Sequence, residues 1–335
     1  MKKILFISTG GTIASTQKEE GMAPTLTAED LISAVPGIRE VCDIDTRLLM
    51  NIDSSNMQPE DWVVIAECIF EALRDYDGFV VAHGTDTMAY TASALSFMLG
   101  DLDKPVVLTG SQLSIADDGT DARINILDAC ITASSTHLRG VFLVFHGKII
   151  LGCRASKVNT RDFQAFESIN YPYIGTLFDR KITFLCPPIP VPLKDREPSL
   201  DTRYSPDVAL IKLYPGIHPR MLEDLPAKGY RAVIIEGFGD GGVPFLRRNL
   251  LPVVEALLQG RTAVIFTTQC LRGGANLETY EVGQKALKLG GISARDMTLE
   301  SIVTKAMWGL GRAQTAAELA QIFQTNYRGE ISLGE

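Results

Sequence analysis

The chain has 335 residues, 46% hydrophobic and 21% charged, with a formal net charge of −8. That length exceeds one comfortable hydrophobic core and predicts two domains. The negative balance, with no Lys/Arg run longer than a pair, excludes the electrostatic footprint that phosphate-backbone binding needs, and no nucleic-acid partner is expected.

The first apolar run, Ile4 to Ser8, stops at Thr9-Gly10-Gly11 and reads as a buried strand, too short for a signal peptide core. No apolar run approaches the roughly 18 residues of a membrane span, so no membrane partner is expected either. Similar Val/Ile/Leu/Phe runs recur at 78–82, 105–109, 140–145, 208–214, 231–236 and 262–267, mostly apolar on both pleat faces, as in a covered parallel sheet. Helical stretches lie between them. Residues 58–75 open with Pro59 and repeat Trp62, Ile65, Ile69 and Leu73 at helical spacing. Thr27-x-x-Asp30 and Thr315-x-x-Glu318 read as capping boxes.

Alternating strand and helix predicts an α/β fold: a larger N-terminal domain over 1–186 with a mostly parallel sheet flanked by helices, and a smaller C-terminal α/β domain over 208–335 with three parallel strands. Pro187, Pro188, Pro190, Pro192 and Pro198 make 187–207 the interdomain linker. The six cysteines form no C-x-x-C pair and the four histidines lack ligand spacing. Reduced thiols in the cytoplasm and no protein-held metal are therefore expected.

Four short segments carry possible chemistry. Ser8-Thr9-Gly10-Gly11-Thr12-Ile13-Ala14-Ser15 leaves the carboxyl end of the first strand, where ligands bind in open α/β sheets. Its paired glycines allow backbone N–H groups to approach a substrate oxygen. A plain turn with Thr12 capping a helix fits as well; a nucleotide-binding turn fits less, since the spacing is not G-x-G-x-x-G. His83-Gly84-Thr85-Asp86-Thr87 follows the 78–82 strand: a carboxylate between hydroxyls grips an ammonium group while a threonine handles a proton. An Asp/Thr cap for 87–99 is the bland alternative, and His83 reads as a hydrogen-bonded structural residue rather than a triad member. In Arg154-Ala155-Ser156-Lys157-Val158 a lysine held in a crevice serves as general base, although most lysines are solvated surface charges. Asp53-Ser54-Ser55-Asn56-Met57, before the Pro59 helix, suits a carboxylate ligand or an ordinary N-terminal turn.

In this order T-G-G-T-I-A-S, D-S-S-N-M, H-G-T-D-T-M and R-A-S-K-V resemble the bacterial type I, cytoplasmic L-asparaginases of the asparaginase/glutaminase family. The segments 105–112 and 165–172 extend the resemblance to essentially the whole chain. It implies hydrolysis of L-asparagine to L-aspartate and ammonia without a cofactor, and a homodimer or homotetramer whose sites are completed by a neighbouring subunit. By motif position Thr12 corresponds to the nucleophile, and Thr85, Asp86 and Lys157 to the second catalytic group. Gly11, Asp53, Ser54, Ser55, Gly84 and, by a looser match, Glu281 correspond to substrate-binding residues. Cys270 lies in the region where some relatives bind a regulatory asparagine.

Two departures stand out. Met22 occupies the place of a tyrosine that contacts the nucleophile in many relatives, and a thioether neither donates nor relays a proton. Asp240 stands where an asparagine is common. Two other functions compete with asparagine hydrolysis. One is the amidase subunit of a tRNA-dependent amidotransferase, whose relatives carry an added N-terminal domain while Thr12 lies near the start here. The other is a non-catalytic asparagine sensor, for which Met22 argues.

Overall fold

The computed structural model describes residues 1–18, 21–24, 26–187, 197–279 and 281–332. The chain divides into two compact units, Met1–Thr202 and Arg203–Glu335. Residues 188–196 of the expected linker lie outside the described residues, and Ser199–Leu200 pairs as a short antiparallel strand with Leu99–Gly100 of the first unit.

The strands of the first unit that matter here are β1 (Lys3–Gly10), β2 (Asp43–Ile52), β3 (Gly78–Ala82), β4 (Pro105–Thr109), β5 (Gly140–Phe145), β6 (Lys148–Leu151), β7 (Ala155–Lys157), β8 (Phe166–Ser168), β9 (Gly175–Phe178) and β10 (Lys181–Phe184). Eight of them form one sheet in the order β10-β9-β6-β5-β4-β3-β1-β2. The run from β2 to β5 is parallel and β6, β9 and β10 continue it antiparallel, while β7 and β8 form a separate hairpin. Strand β1 is flanked by β2 on one side and β3 on the other. The order therefore reverses between β1 and β3, the position where open α/β sheets hold ligands beyond the carboxyl ends of their strands.

The principal helices of this unit are α1 (Ala28–Ser33), α2 (Pro59–Glu71), α3 (Met88–Met98) and α4 (Ala122–Ala133). Alternate strand residues Ile4, Phe6, Val80, Ala82, Val107, Phe142 and Val144 meet Leu31 and Ile32 of α1 and Ile126, Ala129 and Cys130 of α4 in one core. The intervening Leu5, Ile7, Phe79, Val81, Val106 and Leu108 are equally buried, so both pleat faces are covered. Each such side chain contributes roughly 1.5–3 kcal/mol by leaving water. At the start of α1, Thr27 accepts from the Asp30 amide and Asp30 accepts from the Thr27 amide, the reciprocal cap its sequence predicts.

The apolar-run pattern does not predict β2: it is an edge strand in which only Ile44 is buried, half of its ten residues are polar, and its apolar run, Leu48-Leu49-Met50, is short. The hairpin β9–β10 is not predicted either, because each of its strands is four residues long with only two large apolar side chains.

In the second unit β11 (Val208–Lys212), β12 (Ala232–Gly237), β13 (Ala263–Thr268) and β14 (Ile292–Ser293) form a wholly parallel sheet in that order. This is four strands where the sequence predicts three, because β14 is two residues long. Val233, Ile235, Val264 and Phe266 enter the core on one face; Ala232, Ile234, Ala263 and Ile265 enter the core on the other. At the expected cap of the last helix (Ala316–Gln324), Thr315 accepts from the Glu318 amide, but Glu318 returns its bond to Gln314 rather than to Thr315.

Candidate active site

Three loops leave neighbouring carboxyl ends of β2, β1 and β3 and touch through backbone. Gly10 (φ 100°) and Gly11 (φ 83°) take left-handed conformations that side chains rarely adopt. A Cβ on Gly10 would stand 2.6 Å from Ile52 N and O, and one on Gly11 would stand 2.4 Å from Gly84 N and Cα. Thr9 Oγ1 donates to Ala82 O at 3.0 Å, tying the ends of β1 and β3 together. Thr12 opens a short 3-10 turn, Thr12–Ala14, and is half-buried, while Ile13 and Ala14 beneath it are buried. No hydrogen bond to Thr12 Oγ1 forms among the described residues. The paired glycines serve close approach: the Gly11 amide is committed to Ile52 O at 3.0 Å and is no oxyanion donor.

Thr85 is placed differently. It is buried, and its Oγ1 lies 2.7 Å from Lys157 Nζ, which also reaches Asp86 Oδ1 at 2.7 Å. Lys157 ends β7, held across the hairpin from Phe166, and its side chain is 16% exposed against 63% for Asp86. A hydroxyl, an amine nitrogen and a carboxylate, the lysine 72 and 71 positions from the other two, thus meet in one hydrogen-bonded cluster. Arg154, singled out with Lys157, is wholly buried with its guanidinium 5.4 Å from the ring centre of Tyr171.

Ser54 joins the third loop to this cluster. It is buried; its Oγ accepts from the Asp86 amide at 3.3 Å, and its carbonyl accepts from Thr87 Oγ1 at 2.7 Å. Asp53 turns instead to its own loop, accepting from Ser55 N at 2.8 Å and Ser55 Oγ at 2.5 Å. Those bonds hold its carboxyl below the usual carboxylate range, the Ser55 hydroxyl contributing most. The backbone of Glu281 begins a helix of the second unit, but its side chain, like that of Met22, lies outside the described residues.

One contributor escaped the motif reading. Gln112, just beyond the carboxyl end of β4, accepts from Thr85 Oγ1 at 3.4 Å and donates through Nε2 to Asp162 O at 3.0 Å. Buried Asp121 accepts from the Gln112 and Leu113 amides and from Asn125 Nδ2, fixing this loop. The signal available was position: Gly110-Ser111-Gln112 ends an apolar strand as Thr12 and Thr85 do. Among the described residues no group of three or more His, Cys, Asp and Glu side chains is arranged to hold a metal ion, and no helix is long and apolar enough to cross a membrane.

A mostly parallel sheet of reversed order, with hydroxyl, lysine and carboxylate gathered at its switch point, is the arrangement of an amidohydrolase-like α/β protein. Family models agree on a narrower class: "Asparaginase, N-terminal" matches residues 3–190 and "Glutaminase/Asparaginase C-terminal domain" matches residues 207–323. The chain is 42% identical to the L-asparaginase of Thermococcus kodakarensis over 332 residues, 98% of this chain and 99% of that protein. It is 40% identical to one subunit of the glutamyl-tRNA(Gln) amidotransferase of Pyrococcus abyssi over 343 residues, 99% of this chain and 77% of that protein. Among solved structures, the thermostable T. kodakarensis L-asparaginase superposes with a TM-score of 0.93 over 99% of this chain and 100% of that one. L-asparaginase I of Vibrio cholerae, 31% identical, gives 0.88 over 99% of both chains. This protein belongs to the asparaginase family.

Proposed function

We propose that this protein hydrolyses L-asparagine to L-aspartate and ammonia. The observation that carries the reading is the convergence of Thr12 with the Thr85–Lys157–Asp86 cluster through the Gly11–Gly84 contact. Ser54 and Ser55 receive the substrate α-carboxylate and Asp86 its α-ammonium. Thr12 Oγ then bonds to the side-chain amide carbon, backbone donors stabilise the oxyanion, and the C–N bond breaks as the proton lost by the Thr12 hydroxyl passes to the departing ammonia. Water then attacks the β-aspartyl ester, giving a proton to Thr85 as Lys157, in its unprotonated amine form, takes the Thr85 hydroxyl proton; the ester C–O bond breaks and that proton returns to Thr12 Oγ.

The position of Lys157 favours a second order of events in which Thr85, whose Oγ1 lies 2.7 Å from the Lys157 amine nitrogen, makes the first attack. Acid-quenching the enzyme during turnover and sequencing the acylated peptide distinguishes the two. Ammonia release from asparagine, measured on wild type and on Thr12→Ala, tests the activity itself; undiminished turnover in the variant removes Thr12 from the chemistry.

The similarity to the P. abyssi amidotransferase chain supports another function for the same site, release of ammonia from glutamine for a tRNA-dependent amidotransferase. Glutamine hydrolysis stimulated by glutamyl-tRNA, with little asparagine turnover, is the result that would establish it. A homo-oligomer in the cytoplasm, with Glu281 serving a neighbouring subunit's substrate, completes the proposal; sedimentation and a Glu281→Ala variant examine it.

A further inference from the structure

Directly behind the Thr85 loop lies a buried polar chain that the reaction does not touch. Trp62 Nε1, on α2, stands 3.1 Å from Thr91 Oγ1 on α3; Thr91 Oγ1 stands 2.9 Å from His83 Nε2; and His83 Nδ1 stands 2.7 Å from Gly84 O. Thr91 and His83 are wholly buried and Trp62 is 6% exposed.

The protons in this chain have a single consistent arrangement. An indole nitrogen only donates, so Thr91 Oγ1 accepts from Trp62 and has its own hydrogen to give. A carbonyl oxygen only accepts, so His83 Nδ1 carries a hydrogen and donates it to Gly84 O. His83 Nε2 is then bare and accepts from Thr91. Every polar atom in the chain is satisfied by a neutral imidazole, and burial pushes the pKa of that imidazole down to about 4.

The consequence falls on the other side of the peptide. The Gly84–Thr85 bond is trans, as are the other peptide bonds among the described residues. Its C=O and N–H groups therefore point in opposite directions. The carbonyl is held inward by His83, which turns the Thr85 N–H away from the buried chain. That N–H donates to no group among the described residues, on the same residue whose hydroxyl meets Lys157.

We propose that His83 is a positioning residue: the Trp62–Thr91–His83 relay locks the Gly84–Thr85 peptide so that the Thr85 amide is presented as an oxyanion donor. The proposal rests on amide hydrolysis at this site. It explains why a histidine next to the reacting loop is buried, neutral and turned from the substrate. A flexible loop loses donor alignment each time the peptide rotates; the relay removes that freedom before substrate arrives, which is where such donors gain their effect.

The test separates the two nitrogens. The His83→Asn variant places a side-chain amide N–H where Nδ1–H stood and restores the bond to Gly84 O; the longer side chain of His83→Gln reaches toward Thr91 and leaves the carbonyl unheld. With asparagine as substrate, His83→Gln should lose about 10- to 100-fold in kcat with KM nearly unchanged, and His83→Asn should recover much of it. Wild-type kcat in folded His83→Gln overturns the proposal. Where the His83 variants fail to fold, Thr91→Val keeps the volume and breaks the relay one step further out. It should lower kcat about 3- to 10-fold, and full activity in that variant is likewise fatal. A second readout needs no substrate: 15N NMR of histidine-labelled wild type should show His83 with hydrogen on Nδ1 and a bare Nε2. An Nε2–H tautomer refutes the relay. Should wild type release no ammonia from asparagine, the functional reading fails, and the tautomer still decides the relay.

Discussion

Lys157 Nζ stands 2.7 Å from Thr85 Oγ1 although the two residues lie 72 positions apart. The contact joins the end of a small hairpin to the loop after a central strand, and it leaves Thr85 the better equipped of the two threonines for proton transfer. Lys157→Met preserves most of the stem and removes the amine. Its kcat should fall by about 10²- to 10⁴-fold, the range of a lost general base, with a smaller change in KM. Steady-state ammonia release checks this, and a loss confined to KM would reassign Lys157 to substrate binding.

Gly11→Ala should damage both stability and activity. Its Cβ would meet the Gly84 backbone at 2.4 Å in a conformation with φ 83°, and neither problem is relieved by a rotamer change. A loss of about 2–4 kcal/mol in urea unfolding is expected, with activity falling further than stability because the two reacting loops separate. Gly84→Ala, whose Cβ would meet Ser54 Oγ at 2.6 Å and Ser54 Cβ at 2.7 Å but without a left-handed φ, should be milder in stability.

Two buried groups give the protein opposing pH responses. His83 has a native pKa near 4 against 6.5 unfolded, so the unfolded chain binds more protons in that window and stability falls as pH drops from about 6.5 to about 4. The full effect is about 3 kcal/mol. Asp128, pushed up by burial from 3.8 to about 7, acts in reverse: the native state binds the proton first, and stability rises as pH drops through the same range. Wild type should therefore show a shallow profile between pH 4 and 6.5. Asp128→Asn should steepen the acid loss and His83→Asn should abolish it, both followed by urea melts at a series of pH values.

In the second unit Lys305 and Glu330 form an ion pair at 2.5 Å with both side chains fully buried. Glu330 also accepts from the Tyr327 and Arg328 amides, and Lys305 donates to Thr325 O. Removing one charge strands the other, so Glu330→Gln should cost about 3–5 kcal/mol. Specific activity of the folded fraction should stay at the wild-type level, since the pair serves the fold of its own unit.

The sequence by itself determined the elements whose physics is local. Continuous apolar runs announced β1, β3, β4, β5, β12 and β13, because a strand covered on both faces has no polar side to hide; a similar run announced β11, an edge strand that leaves Leu210 exposed. Thr27 and Asp30 announced the start of α1 because a cap needs only neighbours three residues away. The motif order was also enough to suggest the family and to nominate Thr12, Thr85, Asp86 and Lys157.

Tertiary structure alone decided the rest. The part-exposed edge strand β2 and the two-residue β14 are held by pairing with strands distant in sequence, not by any pattern of their own. Gln112 joined the site only when strand order set β4 beside β3. His83 took a definite tautomer only when α2 and α3 brought Trp62 and Thr91 to its other nitrogen. The contrast between Thr12 and Thr85, equal as hydroxyls in the sequence, arose from the same cause. A side chain's reactivity depends on what surrounds it within a few ångströms, and in a sheet whose order reverses at β1 and β3 those neighbours come from loops 40 to 145 residues away.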